Sequence, residues 1–132
     1  MQIHHIGYLV KDIQKSTKEF LELGYTLEQA VRYDDLRKAS INFLINGTYR
    51  IELIEPDAKA ESPLVPLLKR FKNAPYHICY EAEDFGQAIE GLTGIGYLVT
   101  DEPAPAPCIE GRSVAFLMSP AAGLIELLEK EK

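Results

Sequence analysis

Cysteines, basic residues and long apolar runs are all scarce in this sequence, and each scarcity excludes a class of protein. The two cysteines, Cys79 and Cys108, can form one disulfide at most, which excludes a disulfide-rich secreted scaffold. Acidic residues outnumber basic ones by 20 to 14, so the surface is acidic overall, which argues against nucleic-acid binding because that requires a basic face. No apolar run approaches the roughly 20 residues of a membrane-spanning helix. Because no charged-then-apolar leader opens the chain, we expect a cytoplasmic protein with reduced thiols and with neither nucleic acid nor membrane as a partner.

The sequence contains an internal repeat, in which a unit of about half the chain length occurs twice. The pattern His-Ile-x-Tyr begins at His5 and begins again at His77, 72 residues later. A Gly-Tyr pair follows 19 residues after each histidine. Each half then ends on Ile-Glu-Leu, with Glu52 at the centre of the first triplet and Glu126 at the centre of the second. Internal repetition of this kind indicates duplicated structural modules.

Each half predicts a strand, a helix and three further strands. Asp12 and Asp84 can cap the two helices, and Asn46-Gly47 predicts a tight hairpin. Residues 102–111 contain three prolines and are predicted to form a loop. At 132 residues the chain has the length of a single domain. We expect one domain at 1–132, with module one at 1–55, a connector at 56–74 and module two at 75–132.

The duplicated histidines and glutamates are the candidate site residues. Taken alone, His5 would be an ordinary core histidine, and Glu52, between two apolar neighbours, would be costly to bury unless it were paired or bound to a metal. Because the same placement recurs at His77 and Glu126, we expect both pairs to converge on one divalent metal ion. His4 competes with His5, since adjacent strand residues face opposite sides, and the repeat selects His5.

Two further glutamates recur in the same register. Glu55 and Glu129 each follow the glutamate of the triplet by three residues. An odd spacing along a strand directs them to the opposite face, where we expect solvated charges.

With these residues in view, the chain resembles the vicinal oxygen chelate superfamily, and within it the branch of glyoxalase I and methylmalonyl-CoA epimerase. The resemblance runs from His5 to Glu126. It rests on His-Ile-Gly at the start, on Ile-Glu-Leu at both module ends, and on the segments Tyr76-His77-Ile78 and Ala115-Phe116-Leu117. It implies an α+β fold of two βαβββ modules in tandem, forming a cupped mixed β-sheet with helices outside, the glyoxalase-like fold.

The resemblance also implies a chemistry. One divalent metal per site (Ni, Co, Zn, Mn or Mg) would be held by His5, Glu52, His77 and Glu126. The implied reaction is that of a metal-dependent isomerase or lyase, like lactoylglutathione lyase or methylmalonyl-CoA epimerase, which moves a proton next to a carbonyl through a metal-bound enediolate. Glu126 or Glu52 would be the base. The implied partners are a small-molecule substrate, either a thiol adduct or an acyl-CoA thioester, and a second copy of the chain in a homodimer.

The chain departs from this pattern on the third strand of module one, where epimerases are expected to carry an additional base. The inward residue there is predicted to be Asn42, whose amide is no general base, which argues against two-base epimerisation. One alternative is a drug-binding or resistance protein of the same fold without catalysis, but such modules lack the ligand set. A ring-cleaving Fe(II) dioxygenase needs two histidines and one carboxylate, so the fourth ligand argues against it.

Overall fold

The computed structural model describes residues 1–131. Within them, no helix is long and apolar enough to cross a membrane. The elements in chain order are β1 (Gln2–Leu9), α1 (Ile13–Glu22), β2 (Thr26–Asp34), β3 (Ala39–Asn46), β4 (Tyr49–Pro56), α2 (Val65–Phe71), β5 (Ala74–Ala82), α3 (Phe85–Gly94), β6 (Leu98–Ala106), a 3₁₀ turn (Pro107–Ile109), β7 (Arg112–Ser119) and β8 (Gly123–Glu129).

The chain divides into two compact units. The first unit comprises residues 5–76, and the second comprises the chain from residue 77 onward together with residues 1–4. The strand order is β2-β3-β4-β1 in the first unit and β6-β7-β8-β5 in the second. In each, the first strand pairs in parallel with the last, and the other neighbours are antiparallel. The predicted fold class, α+β with two βαβββ modules in tandem, is confirmed.

In both units the helix that follows the first strand begins after an aspartate cap and ends before a glycine. The carboxylates of Asp12 and Asp84 each accept a hydrogen bond from the backbone N–H three residues later, both at 3.1 Å. This contact satisfies one of the N–H groups that a helix start leaves unpaired. Gly24 and Gly96 follow the helices with φ of +98° and +106°, a conformation that favours glycine. These two signals were readable in the sequence.

Each helix packs on one face of its own sheet. In the first unit the buried cluster there is Val10, Ile13, Leu44, Ile51 and Leu53, with Ile6, Tyr8, Phe20 and Tyr25 against it. In the second unit it is Ala115, Leu117, Ile125 and Leu127, with side chains from α3 and its neighbouring strands against it. Since side chains alternate along a strand, the residues between these positions occupy the opposite face, which we call the inner face of each sheet.

The predicted loop at 102–111 is wrong over its first half. β6 continues to Ala106, with Pro105 paired opposite Ser113, and a 3₁₀ turn follows at Pro107–Ile109. β6 is the end strand in the order of its unit, so a proline there can place its missing N–H away from β7. Proline-rich sequence therefore marked an edge strand.

Glu55 and Glu129 are not the solvated charges that their spacing predicted. Glu55 Oε1 accepts a hydrogen bond from the backbone N–H of Ile13 at 2.9 Å, at the start of α1. Glu129 Oε2 accepts one from the backbone N–H of Ser113 at 3.2 Å. Both carboxylates are half-buried and tie a neighbouring element to the strand that carries them.

Candidate metal centre

The first unit brings His5 and Glu52 together on its inner face. β1 and β4 run in parallel with Gly7 opposite Glu52, which places His5 two residues before that partner. His5 Nε2 lies 3.3 Å from Glu52 Oε1. The side chains are 0% and 1% exposed, so the carboxylate is withdrawn from water and lies beside an imidazole. A carboxylate is costly to bury without a compensating group, which indicates that Glu52 has a role other than core packing.

The second unit repeats this arrangement with His77 and Glu126. β5 and β8 run in parallel with Cys79 opposite Glu126, so His77 again stands two residues before the partner. His77 Nε2 lies 3.2 Å from Glu126 Oε1, and both side chains are 0% exposed. The sequence repeat is thus a repeat of geometry, with the same two atom types at nearly the same separation.

A phenylalanine lies beside each His–Glu pair, and the sequence analysis did not include it among the candidate site residues. Phe43 pairs opposite Glu52, and its ring lies 5.4 Å from the His5 ring at 77°. Phe116 pairs opposite Glu126, and its ring lies 5.2 Å from the His77 ring at 87°. The available signal was a Phe-Leu dipeptide that recurs 38 residues after the first histidine and 39 after the second.

Asn42 is not on the inner face, so that prediction is wrong. Its Nδ2 donates a hydrogen bond to Thr17 Oγ1 of α1 at 2.9 Å, which places the side chain between helix and sheet. By alternation, the β3 residues on the inner face are Ala39, Ile41, Phe43 and Ile45, and none of them is a general base. β3 therefore supplies no general base, whichever of its two faces is the inner one.

The four predicted site residues are two imidazoles and two carboxylates, a donor set that could hold a metal ion. Nitrogen and oxygen donors in this ratio suit a borderline divalent cation better than a hard one that prefers oxygen alone. Each unit supplies one imidazole and one carboxylate.

The model of the glyoxalase/bleomycin resistance protein/dioxygenase superfamily matches residues 4–116. The chain belongs to this superfamily. The matched range contains three of the four candidate residues and ends ten residues before Glu126. The predicted membership in the vicinal oxygen chelate superfamily is therefore confirmed. A comparison with curated proteins gave no match.

Three solved structures are similar to this chain over 99–100% of its length. A hypothetical protein from Bacillus halodurans is 26% identical, with a TM-score of 0.85 over 99% of this chain and 95% of that one. Methylmalonyl-CoA epimerase from Mycobacterium tuberculosis is 19% identical, with a TM-score of 0.83 over 99% of this chain and 89% of that one. A variant of the Streptomyces coelicolor epimerase, in complex with 2-nitronate-propionyl-CoA, is 20% identical, with a TM-score of 0.83 over 100% and 99%. At these identities the two epimerases share the fold.

Proposed function

We propose that this superfamily member is a metal-dependent isomerase or lyase that moves a proton next to a carbonyl group of a small substrate. The observation that carries the proposal is the buried His–Glu pair, present once in each unit at the same strand register. Burying a carboxylate beside an imidazole costs free energy, and doing so twice costs it twice. A divalent cation held by both pairs would offset that cost.

The donor set fits such a cation. Within each pair the nitrogen and the oxygen are 3.3 Å and 3.2 Å apart. Two donors that share one ion at bond lengths of about 2.0–2.2 Å lie roughly 3 Å from each other. We therefore assign His5, Glu52, His77 and Glu126 as the ligands of one divalent ion from the series Ni, Co, Zn, Mn and Mg. When bound, the ion supplies Lewis acidity, which polarises a substrate carbonyl and acidifies the adjacent C–H.

Glu126 is our assignment for the base, with Glu52 as its rival. Proton transfer from carbon needs a carboxylate within reach of the C–H. In the first unit the other inner-face residues near Glu52 include Leu9, Ile41 and Ile54, which have no titratable group. In the first unit this leaves Glu52 as the candidate base, and in the second unit we assign the role to Glu126 because of the resemblance to epimerases.

The favoured substrate class is an acyl-CoA thioester. Methylmalonyl-CoA epimerases share the fold, and two of those structures hold 2-nitronate-propionyl-CoA and methylmalonyl-CoA. The apolar inner face of β3 supplies no second base for epimerisation. The thiol adduct of a 2-oxoaldehyde, the substrate class of lactoylglutathione lyase, is therefore the second class to test.

We also propose that residues 1–132 act as one domain and that two copies form a homodimer. The duplication supports the single domain, since each unit supplies only half of the ligand set. The homodimer is proposed from the resemblance to the superfamily. Sedimentation at several protein concentrations tests the dimer, and a monomer at high concentration would rule it out.

The test of function is a solvent-deuterium exchange screen on protein with measured metal content. Protein freed of metal by a chelator is reloaded with each of the five ions and then given α-chiral acyl-CoA thioesters or 2-oxoaldehyde–thiol adducts. We expect deuterium in one substrate class, only with metal bound. Failure to bind any of the five ions would overturn the proposal and favour the drug-binding alternative, which the bleomycin resistance members of the superfamily represent.

A further inference from the structure

Two irregularities interrupt the end strand of each unit at the same place. In β2 the pairing with β3 slips by one residue on either side of Gln29, which stands opposite Phe43. In β6 the pairing with β7 slips in the same way on either side of Asp101, which stands opposite Phe116. Such bulges redirect the side chains beside them and are common next to active sites. Each unit therefore places a polar residue on its inner face, beside the phenylalanine.

Gln29 belongs to the row of inner-face residues that contains Glu52, because Phe43 pairs with both. Neighbouring strands are about 4.8 Å apart, so roughly 10 Å separates the Cα atoms of Gln29 and Glu52. The Gln29 side chain is half-buried, and its Nε2 is buried without a hydrogen-bond partner within residues 1–131. An unpaired buried donor is costly. Because the carboxamide torsion of glutamine is soft, the group can turn and present Nε2 on its exposed side, where a ligand oxygen can accept its hydrogen bond.

Arg32 adds a positive charge beside this amide. It pairs opposite Ile41, two residues along β3 from the partner of Gln29, which corresponds to about 7 Å along that strand. The Arg32 side chain is exposed and forms no hydrogen bond or ion pair with another described residue. In the second unit Ala104 occupies the equivalent position, opposite Val114. The positive charge at this position is therefore a property of the first unit alone.

The two carboxylates of β2 are both engaged with other groups. Glu28 forms a two-point ion pair with Arg50, with N–O distances of 2.8 Å and 3.0 Å. Asp34 accepts hydrogen bonds from two backbone N–H groups of the turn that follows β2, at 2.9 Å and 3.0 Å. Neither carboxylate pairs with Arg32. An amide N–H and a guanidinium on one face are donors that suit a carboxylate, since each of its oxygens can accept a hydrogen bond.

We infer that Gln29 and Arg32 are specificity-determining residues that bind a carboxylate of the substrate whose carbonyl reacts at the candidate metal centre. The inference rests on the proposed function and narrows its substrate. The carboxylate belongs either to the acyl group of a thioester or to the thiol part of a 2-oxoaldehyde adduct. The phosphates of coenzyme A are a less suitable ligand, because the whole pantetheine arm separates them from the thioester.

The test is the solvent-deuterium exchange assay on metal-loaded protein, with KM and kcat measured separately. The probes are thioesters whose acyl group ends in a carboxylate or in its methyl ester, and 2-oxoaldehyde adducts of glutathione or of its diethyl ester. Arg32→Ala and Gln29→Leu should each raise KM for the free carboxylate about 10-fold and leave kcat unchanged, because a charge-assisted hydrogen bond is lost from substrate binding. KM for the esterified probe should be the same in the variants and the wild type.

Gln29→Glu supplies a second variant of nearly the same size. It places a negative charge beside the bound carboxylate, so KM for the free carboxylate should rise further than in Gln29→Leu, with no rise for the ester. Lys18→Ala and Gln14→Ala are the matched controls, because they remove the same kinds of group from the exposed surface of α1. Both should keep the wild-type KM for every probe.

Three results would overturn the inference and leave the proposed function standing. The first is a wild-type KM in both Arg32→Ala and Gln29→Leu. The second is an equal rise in KM for the free and the esterified probe, which would indicate a structural role. The third is a rise with coenzyme A thioesters that disappears with pantetheine thioesters, which would assign the two residues to a phosphate. Wild-type protein that exchanges no deuterium with any probe would overturn both.

Discussion

The two units keep the same three residue types around the candidate site and differ four residues away on the same strand faces. Four residues after the histidine and four before the phenylalanine, the first unit has Leu9 and Ala39, both 0% exposed. At the equivalent positions the second unit has Glu81 and Arg112, which form an ion pair. The two units have therefore kept the residue types beside the candidate donors, and they differ in polarity at this pair of inner-face positions.

Because of this difference, Glu52 and Glu126 have different surroundings, although each lies at nearly the same distance from its histidine. Around Glu52 the inner face continues into fully buried Leu9 and Ile54. Around Glu126 it continues into the charged pair, where Arg112 Nε also donates a hydrogen bond to the backbone carbonyl of Glu129 at 2.8 Å. We therefore expect Glu52 and Glu126 to bind the metal equally and to differ in their catalytic roles.

The largest effect is expected from removing an imidazole. His5→Ala and His77→Ala should each abolish detectable activity and weaken metal binding by more than about 100-fold, beyond the range for an orienting partner, because a donor itself is lost. Metal analysis after dialysis measures this. His4→Ala is the matched control, one residue along β1. If only one of the two site variants lost the metal, the equivalence of the pairs would be wrong.

The next effect distinguishes the glutamates. Glu126→Gln should lower the exchange rate by about 10²–10⁴-fold, the usual contribution of a general base, since an amide cannot accept the proton. Metal content should persist, because the amide oxygen can still coordinate. Glu52→Gln should keep more of the rate. Deuterium exchange at near-normal rate in metal-bound Glu126→Gln would move the base to Glu52.

A smaller effect tests the divergence directly. Arg112→Ala should lower the free energy of unfolding by about 2 kcal/mol, less than for a fully buried pair, because Glu81 loses its partner. The side chains of Arg112 and Glu81 are 12% and 27% exposed, so solvent screens part of the loss. Glu81→Leu combined with Arg112→Ala installs the residue types of the first unit and should cost less than the sum of the single changes in urea unfolding. Simple additivity would show that the pair is not energetically coupled.

The repeated histidines and glutamates could be predicted from the sequence, whereas the face on which a strand residue lies could not, because it depends on the strand register. The duplicated histidines and glutamates could be read as a pattern without knowing any strand pairing. Asn42 was assigned to the wrong face because a slip of one residue in a strand reverses every side chain, and only the pairing with β4 fixes that register. Phe43 and Phe116 were not predicted as site residues because an aromatic residue in a strand is ordinarily core, and only the contact with an imidazole distinguishes these two.

The smallest effect is expected at Asn42, where the second unit has Ala115. Asn42→Ala removes one hydrogen bond to Thr17, worth about 1 kcal/mol, and also removes a buried Oδ1 that has no hydrogen-bond partner within residues 1–131. These terms oppose each other, so the free energy of unfolding should change by less than about 1 kcal/mol. Metal affinity and deuterium exchange should stay at wild-type values, because the side chain lies on the helix side of the sheet. The reverse change, Ala115→Asn, should be the costlier, since it sets an amide within an apolar cluster that includes Ile89 of α3. A loss of deuterium exchange in Asn42→Ala would indicate that this side chain lies on the inner face and would contradict the strand register described above.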